Sequence, residues 1–152
     1  VTSTKALAMT EIAKKRPEFR NINALSDLPG YRWPLAALVS GMHRASGVIL
    51  FLLLPFIVWM LDTSLSSEIS FGTFKAAFNS HLGILPGWFV KLMTLALIWA
   101  YLHHFAAGMR HLFMDMNHAA VTKDFGRKSA ATVYVVSLSL TLVLGLKLFG
   151  VY

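Results

Sequence analysis

Three long stretches of the chain contain no charged residue and are dominated by apolar side chains. They cover residues 45–61, 92–109 and 129–146, which makes 17, 18 and 18 residues. Eighteen residues of α-helix rise about 27 Å, close to the thickness of the hydrocarbon core of a bilayer. A soluble helical bundle would need a polar outer face on each helix, and none of these stretches has one. The pattern therefore predicts three membrane-spanning helices.

The residues that flank the apolar stretches extend them into complete elements. Pro34 is expected near the start of the first helix, since proline at the first helical position loses no hydrogen bond. Pro55 is expected to kink that helix, and the apolar spacing of residues 71–78 indicates a short interfacial helix in the loop that follows. The predicted organisation is an N-terminal segment (1–32), a first span (33–61), an outside loop (62–87), a second span (88–114), a second loop (115–128) and a third span (129–149).

Composition supports a membrane protein, and the placement of basic residues orients it. Hydrophobic residues make up 56% and charged residues 14%, against about 25% charged in soluble domains. Ten of the 14 Lys and Arg residues lie before the first span or at the connection between the second and third, and three lie on the other side. This bias predicts a cytoplasmic N-terminus and explains most of the net charge of +7 without nucleic acid. No transit segment is visible, so we expect a bacterial cytoplasmic membrane rather than a mitochondrial inner membrane.

Ser40, His43 and Arg44 form a polar set near the start of the first span. Ser40 and Arg44 lie one helical turn apart, and Gly47 continues the same small and polar stripe. Snorkelling to lipid headgroups accounts for Arg44 alone. It does not account for a serine, a histidine and a glycine that accompany it, so the set is a candidate site.

A second polar set lies at the end of the second span. His104, Gly108, His111 and Asp115 are separated by four, three and four residues and share one helix face. A histidine in an apolar helix needs a metal, a charge or a hydrogen-bond partner. Because Gly108 leaves room for a flat group, His104 is a candidate axial ligand of haem b. A hydrogen bond between helices is the alternative.

The two polar sets are expected to lie near the same side of the membrane, at related depths. If Arg44 and Arg110 mark the cytoplasmic ends of their helices, His104 lies about 9 Å deeper than Arg110. The propionates of a haem at His104 would then reach His43, Arg44 and Arg110 in charge-assisted pairs. The chain has no cysteine and no zinc-type spacing, P-loop, nucleophile elbow or dinucleotide fingerprint. We therefore expect it to be non-catalytic by itself.

Three motifs resemble the cytochrome b subunit of succinate dehydrogenase. They are Arg16-Pro17, RWPLAALVSGMHRASG at 32–47 and HFAAGMRHLFMD at 104–115. Their spacing agrees with the family patterns S-x-x-H-R-x-[ST]-G and H-x-x-x-G-x-R-H-x-x-x-D. The second pattern favours His104 over His103 as the ligand. With the three-span layout, the resemblance covers nearly the whole chain.

The resemblance implies an all-α integral membrane protein whose three transmembrane helices pack with a sister anchor subunit around haem b. It also implies a complex in which a flavoprotein oxidises succinate and an iron–sulfur subunit passes electrons to ubiquinone. His104 would be one axial ligand, with the second histidine from the sister subunit. Ser40 and Arg44 would bind ubiquinone. The expected haem propionate and pocket residues are His43, Arg44, Gly108, Arg110 and His111.

Three other interpretations remain open at this point. The runner-up is a haemless quinone-binding anchor of a fumarate reductase-type complex, in which the histidines serve structure or proton transfer. A di-haem cytochrome b would need paired histidines near both membrane faces, and the outer halves of the spans contain none. A non-redox membrane scaffold would bind neither haem nor quinone.

Overall fold

The computed structural model describes residues 22–23 and 25–152, so the Arg16-Pro17 motif lies outside the described residues. The chain divides into two units, residues 1–32 and 33–152. In the first, the backbone N–H of Asn23 donates to the carboxylate of Asp27 over 3.0 Å. The second contains helices α1 (Leu35–Leu52), α2 (Leu54–Leu65) and α3 (Glu68–Asn79), strands β1 (His81–Leu82) and β2 (Leu85–Pro86), helix α4 (Gly87–Met116), a 3-10 turn (His118–Ala120) and helix α5 (Lys123–Leu148).

The first predicted span is divided into two helices at Leu53. Pro55 has no N–H group, and its ring crowds the carbonyl four residues earlier, so a regular helix does not continue through it. The expected distortion near Pro55 is therefore confirmed. Helix α2 continues the apolar run to Leu65, beyond the expected end at residue 61.

Much of the predicted outside loop is regular structure. Helix α3 contains the short helix that the apolar spacing predicted. It begins with a capping box, in which the hydroxyl groups of Ser67 and Ser70 each accept the backbone N–H of the other residue. Strands β1 and β2 then form a two-stranded antiparallel hairpin. The location of α3 at the membrane surface stays a prediction.

The second and third predicted spans are long, uninterrupted helices. Helix α4 has 30 residues and α5 has 26, so they are about 45 and 39 Å long and exceed a hydrocarbon core of about 30 Å. The connection between them is residues 117–122, shorter than the expected 115–128, because α4 continues to Met116 and Thr122 already caps α5. Among the described residues, α1, α4 and α5 are the three helices long and apolar enough to cross a membrane.

Small side chains bring α1, α4 and α5 together. Membrane helices associate through such residues because they let the backbones approach closely. Only 11–22% of the residues in each spanning segment are buried inside the bundle, so most apolar side chains face outward. A bilayer or a neighbouring membrane protein has to cover that surface. The buried cluster at the centre of the three helices consists of Val39, Ala107, Ala130 and Val133.

Candidate functional site

Three histidines meet where α1 packs against α4. The ring centroids of His43 and His104 lie 4.1 Å apart, and those of His43 and His111 lie 5.3 Å apart. All three residues are half-buried. A Cβ atom added to Gly108 would lie 3.7 Å from Nε2 of His43, an ordinary contact distance. The structure thus brings together four of the predicted site residues.

The imidazole of His104 makes its hydrogen bonds through one ring nitrogen, Nδ1. Its Nδ1 lies 3.1 Å from the carbonyl oxygen of His43 and 3.2 Å from Oγ of Ser46. A carbonyl oxygen can only accept, so Nδ1 carries the proton and donates. The hydroxyl of Ser46 donates to the same carbonyl over 2.7 Å, which leaves its oxygen free to accept from Nδ1.

This tautomer leaves Nε2 of His104 with a lone pair. No described residue is a hydrogen-bond partner of that nitrogen. Metal-ligating histidines have this arrangement, in which one nitrogen is fixed by a hydrogen bond and the other is available to the metal. The hydrogen bonds of His104 thus leave its Nε2 without a partner among the described residues.

Gly47 of α1 provides the space for the His104 ring. A Cβ atom added to Gly47 would lie 3.0 Å from Cε1 and 3.4 Å from Nδ1 of His104, whereas one added to Gly41 would meet nothing within 4 Å. Gly108, which we expected to give this clearance, lies against His43 instead. The close approach to His104 therefore depends on Gly47.

His103 points away from the cluster and into the helix bundle. It is completely buried, and its Nδ1 lies 3.3 Å from Oγ of Ser137. Its ring packs against Trp99 and Tyr134, with centroids 5.4 and 5.5 Å away. Adjacent helical residues point about 100° apart, so His103 is closed to a ligand that approaches His104.

Ser40 and Arg44 lie one turn apart on the same face of α1. Ser40 is half-buried and Arg44 is exposed. Neither side chain makes a hydrogen bond or an ion pair within the part of the chain that the structure describes. Both are therefore available to a ligand or a neighbouring subunit.

Arg110 faces α5 and not the histidine cluster. It is 9% exposed, and its Nε donates to Oγ of Ser129 over 2.9 Å. It shares this side of α4 with His103, which lies two turns earlier. The expected contact between Arg110 and a propionate of a haem at His104 has no support in this placement.

The sequence did not predict the two serines that contact the neighbouring histidines: Ser46 contacts His104, and Ser137 contacts His103. Ser46 follows His43 by three residues within an apolar span, so helical spacing was a usable signal. Ser137 lies in the third span, and no local pattern relates it to His103. Their partners become evident only once the helices are packed.

The fold and the site define a class: a multi-pass, all-α membrane protein in which three histidines meet between two spanning helices. The expected fold class is therefore confirmed. A family model described as the succinate dehydrogenase/fumarate reductase transmembrane subunit matches residues 17–144. The chain belongs to this family.

The names of individual relatives agree with this family assignment. The chain is 36% identical over 111 residues to the succinate dehydrogenase cytochrome b556 subunit of Coxiella burnetii, covering 73% of this chain and 83% of that protein. It is 31% identical over 115 residues to the protein of that name in Paracoccus denitrificans, covering 74% and 83%. With that of Rickettsia prowazekii it shares 26% identity over 134 residues, covering 88% and 94%.

Proposed function

We propose that this chain is the cytochrome b membrane-anchor subunit of succinate dehydrogenase, which binds haem b and forms part of the ubiquinone-reduction site. The observation that carries the proposal is the orientation of His104. Its Nδ1 is fixed by Ser46 and the His43 carbonyl, while Nε2 meets no partner among the described residues. The relatives above are named for a cytochrome b subunit of this enzyme.

Nε2 of His104 is the proposed axial ligand. The sister anchor subunit would supply a second histidine to the haem iron. Haem b, when bound, supplies a one-electron carrier. Ser46 and Gly47 fix the ring orientation and its clearance.

The remaining haem pocket is proposed from the residues around His104. His43, Gly108 and His111 line the same cluster, and the histidines offer N–H donors to anionic propionates. Arg44 is a further candidate because its guanidinium extends outward from α1. We leave Arg110 out of this pocket because it is directed to Ser129.

Ser40 and Arg44 are the proposed quinone-binding residues. The Ser40 hydroxyl can donate to a carbonyl oxygen of ubiquinone. The Arg44 guanidinium can stabilise the negative charge that develops on that oxygen during reduction. Two electrons from the iron–sulfur subunit, supplied by succinate oxidation in the flavoprotein, and two protons convert the quinone to the quinol. This chain positions the quinone and is not a catalyst by itself.

Co-purification in mild detergent tests the assignment. The affinity-tagged chain is expected to bring down the flavoprotein, the iron–sulfur subunit, the sister anchor and a haem with Soret and alpha absorption bands. A complete complex without these bands would favour a haemless anchor of the fumarate reductase type. Recovery of the chain without the other three subunits would contradict the proposal.

We also propose that the connection between α4 and α5 faces the cytoplasm, where the catalytic subunits dock. The chain has no cysteine, so Ser66→Cys and Asn117→Cys each introduce one reactive thiol at an exposed position. In intact cells a membrane-impermeant maleimide is expected to label position 66. Position 117 is expected to react only after solubilisation. Labelling of position 117 but not 66 in intact cells would reverse the topology.

Gly47→Ala is expected to disturb haem binding, because the new methyl group would lie 3.0 Å from Cε1 of His104. Overpacking of this kind costs about 1–3 kcal/mol. A shifted low-spin electron paramagnetic resonance signal and reduced haem content would report it. Gly41→Ala is the matched control, since it makes the same change on α1 in open space. Equal spectra in the two variants would refute the clearance role of Gly47.

A further inference from the structure

A groove of about 460 Å³ lies between α4 and α5, away from the histidine cluster. Its lining changes along its length. Arg110 and Lys128 lie toward the connection between the two helices, whereas Ala106 and Val136 lie deeper along them. The groove is therefore cationic at one end and apolar at the other.

Arg110 is nine-tenths buried, yet most of its donors have no partner. Its Nε–H bond to Ser129 is the one side-chain hydrogen bond that it makes within the described residues. No acidic side chain in that part of the structure pairs with it. A guanidinium has five N–H donors, and a cation in a membrane helix is costly without a counter-ion. The unpaired donors of Arg110 are accessible and are therefore available to an anion at the groove.

Lys128 adds a second cation at the same end. Its Nζ lies 2.7 Å from a carboxylate oxygen of Asp124, and Arg127 approaches the same carboxylate to 3.6 Å. Two cations thus share one negative charge. The end of the groove keeps a positive charge even before Arg110 is counted.

The deeper part of the groove suits a hydrocarbon chain. The rings of Phe113 and Phe125 stack at its polar end, with centroids 5.6 Å apart. Beyond them the lining is mainly apolar, although it includes the hydroxyl-bearing Thr132. From Lys128 to Val136, α5 rises about 12 Å. This length accommodates a segment of an acyl chain whose headgroup lies beside the two cations.

We propose that this groove binds an anionic phospholipid of the leaflet that contains the α4–α5 connection. Its phosphate lies at Arg110 and Lys128, and one acyl chain lies against Ala106 and Val136. Basic pockets between transmembrane helices suit anionic headgroups in this way. Ubiquinone is uncharged and would provide no anion for Arg110. An apolar helix of another subunit would likewise leave the guanidinium without an anion.

Native mass spectrometry of the delipidated complex of all four subunits tests the proposal, with dioleoyl phosphatidylglycerol and dioleoyl phosphatidylcholine as probes. The wild type is expected to bind one phosphatidylglycerol at least about tenfold more tightly than phosphatidylcholine. Arg110→Gln is expected to abolish this preference. Val136→Trp, which fills the apolar part, is expected to remove the bound lipid. Lys123→Gln is the matched control, because it removes an exposed charge of α5 that neither lines the groove nor pairs with Asp124.

Haem absorption and complex size confirm that each variant assembles. If Arg110→Gln prevents assembly, Lys128→Gln and Val136→Trp decide the question, since they change the two ends of the groove separately. Equal binding of the two lipids by the wild type would overturn the proposal. So would equal binding in the groove variants and the Lys123→Gln control, as expected if a neighbouring protein covered the groove.

Discussion

Replacing His104 with alanine is expected to abolish the low-spin haem spectrum of the purified complex, whereas His103→Leu is expected to preserve it. His104 presents a free Nε2 at the junction of α1 and α4. The Nε2 of His103 also has no hydrogen-bond partner among the described residues, but His103 is completely buried against α5 and its Nδ1 is bonded to Ser137. Only one of two adjacent helical histidines can face a given haem. Optical and electron paramagnetic resonance spectra of the two complexes measure the difference.

Leucine is the better replacement at position 103 because it fills much of a fully buried site while removing both ring nitrogens. The hydroxyl of Ser137 keeps its contact with the carbonyl oxygen of Tyr134 at 3.4 Å. A normal haem in the His104→Ala complex would contradict the ligand assignment. Loss of the low-spin spectrum only in His103→Leu would do the same.

Ser40→Ala and Arg44→Ala are expected to lower ubiquinone reduction far more than succinate oxidation by an artificial dye. The two side chains share one face of α1 and are proposed to bind the quinone, whereas succinate is oxidised in the flavoprotein. Loss of one aimed donor typically costs about 3 kcal/mol of transition-state stabilisation, on the order of a hundredfold in rate. Parallel assays of quinone- and dye-coupled activity on the purified complex measure the separation.

The matched controls are Ser139→Ala and Arg127→Ala, which make the same changes at exposed positions of α5. Both are expected to retain the two activities. If Ser40→Ala and Arg44→Ala lower both activities equally, the substitutions disturb assembly and the quinone-site proposal fails. Unchanged quinone reduction would also refute it.

Local patterns predicted much of the fold because membrane helices are encoded by features that are close in sequence. A charge-free stretch long enough to cross a bilayer is visible directly, as is the disruption near Pro55. The common face of His104, Gly108 and His111 follows from helical periodicity. The structure brings these residues to His43, as the shared depth of the two polar sets suggested.

The residues that each helix face contacts could not be predicted from such local patterns. The direction of Arg110 depends on the packing of α5 against α4, which places Ser129 within 2.9 Å of its Nε. The clearance at His104 comes from Gly47, which lies on α1, and not from Gly108, which lies on the same helix as His104. Such contacts join residues far apart in sequence, and a single sequence gives no register between helices.

Chemical rescue with imidazole tests most directly whether this chain supplies an axial ligand. His104→Gly removes the imidazole but leaves the Ser46 hydroxyl and the His43 carbonyl, which hold Nδ1 in the native protein. The purified His104→Gly complex is expected to lack the low-spin bis-imidazole spectrum and to recover it when imidazole is added. A normal low-spin spectrum without added imidazole would contradict the assignment of His104 as the ligand.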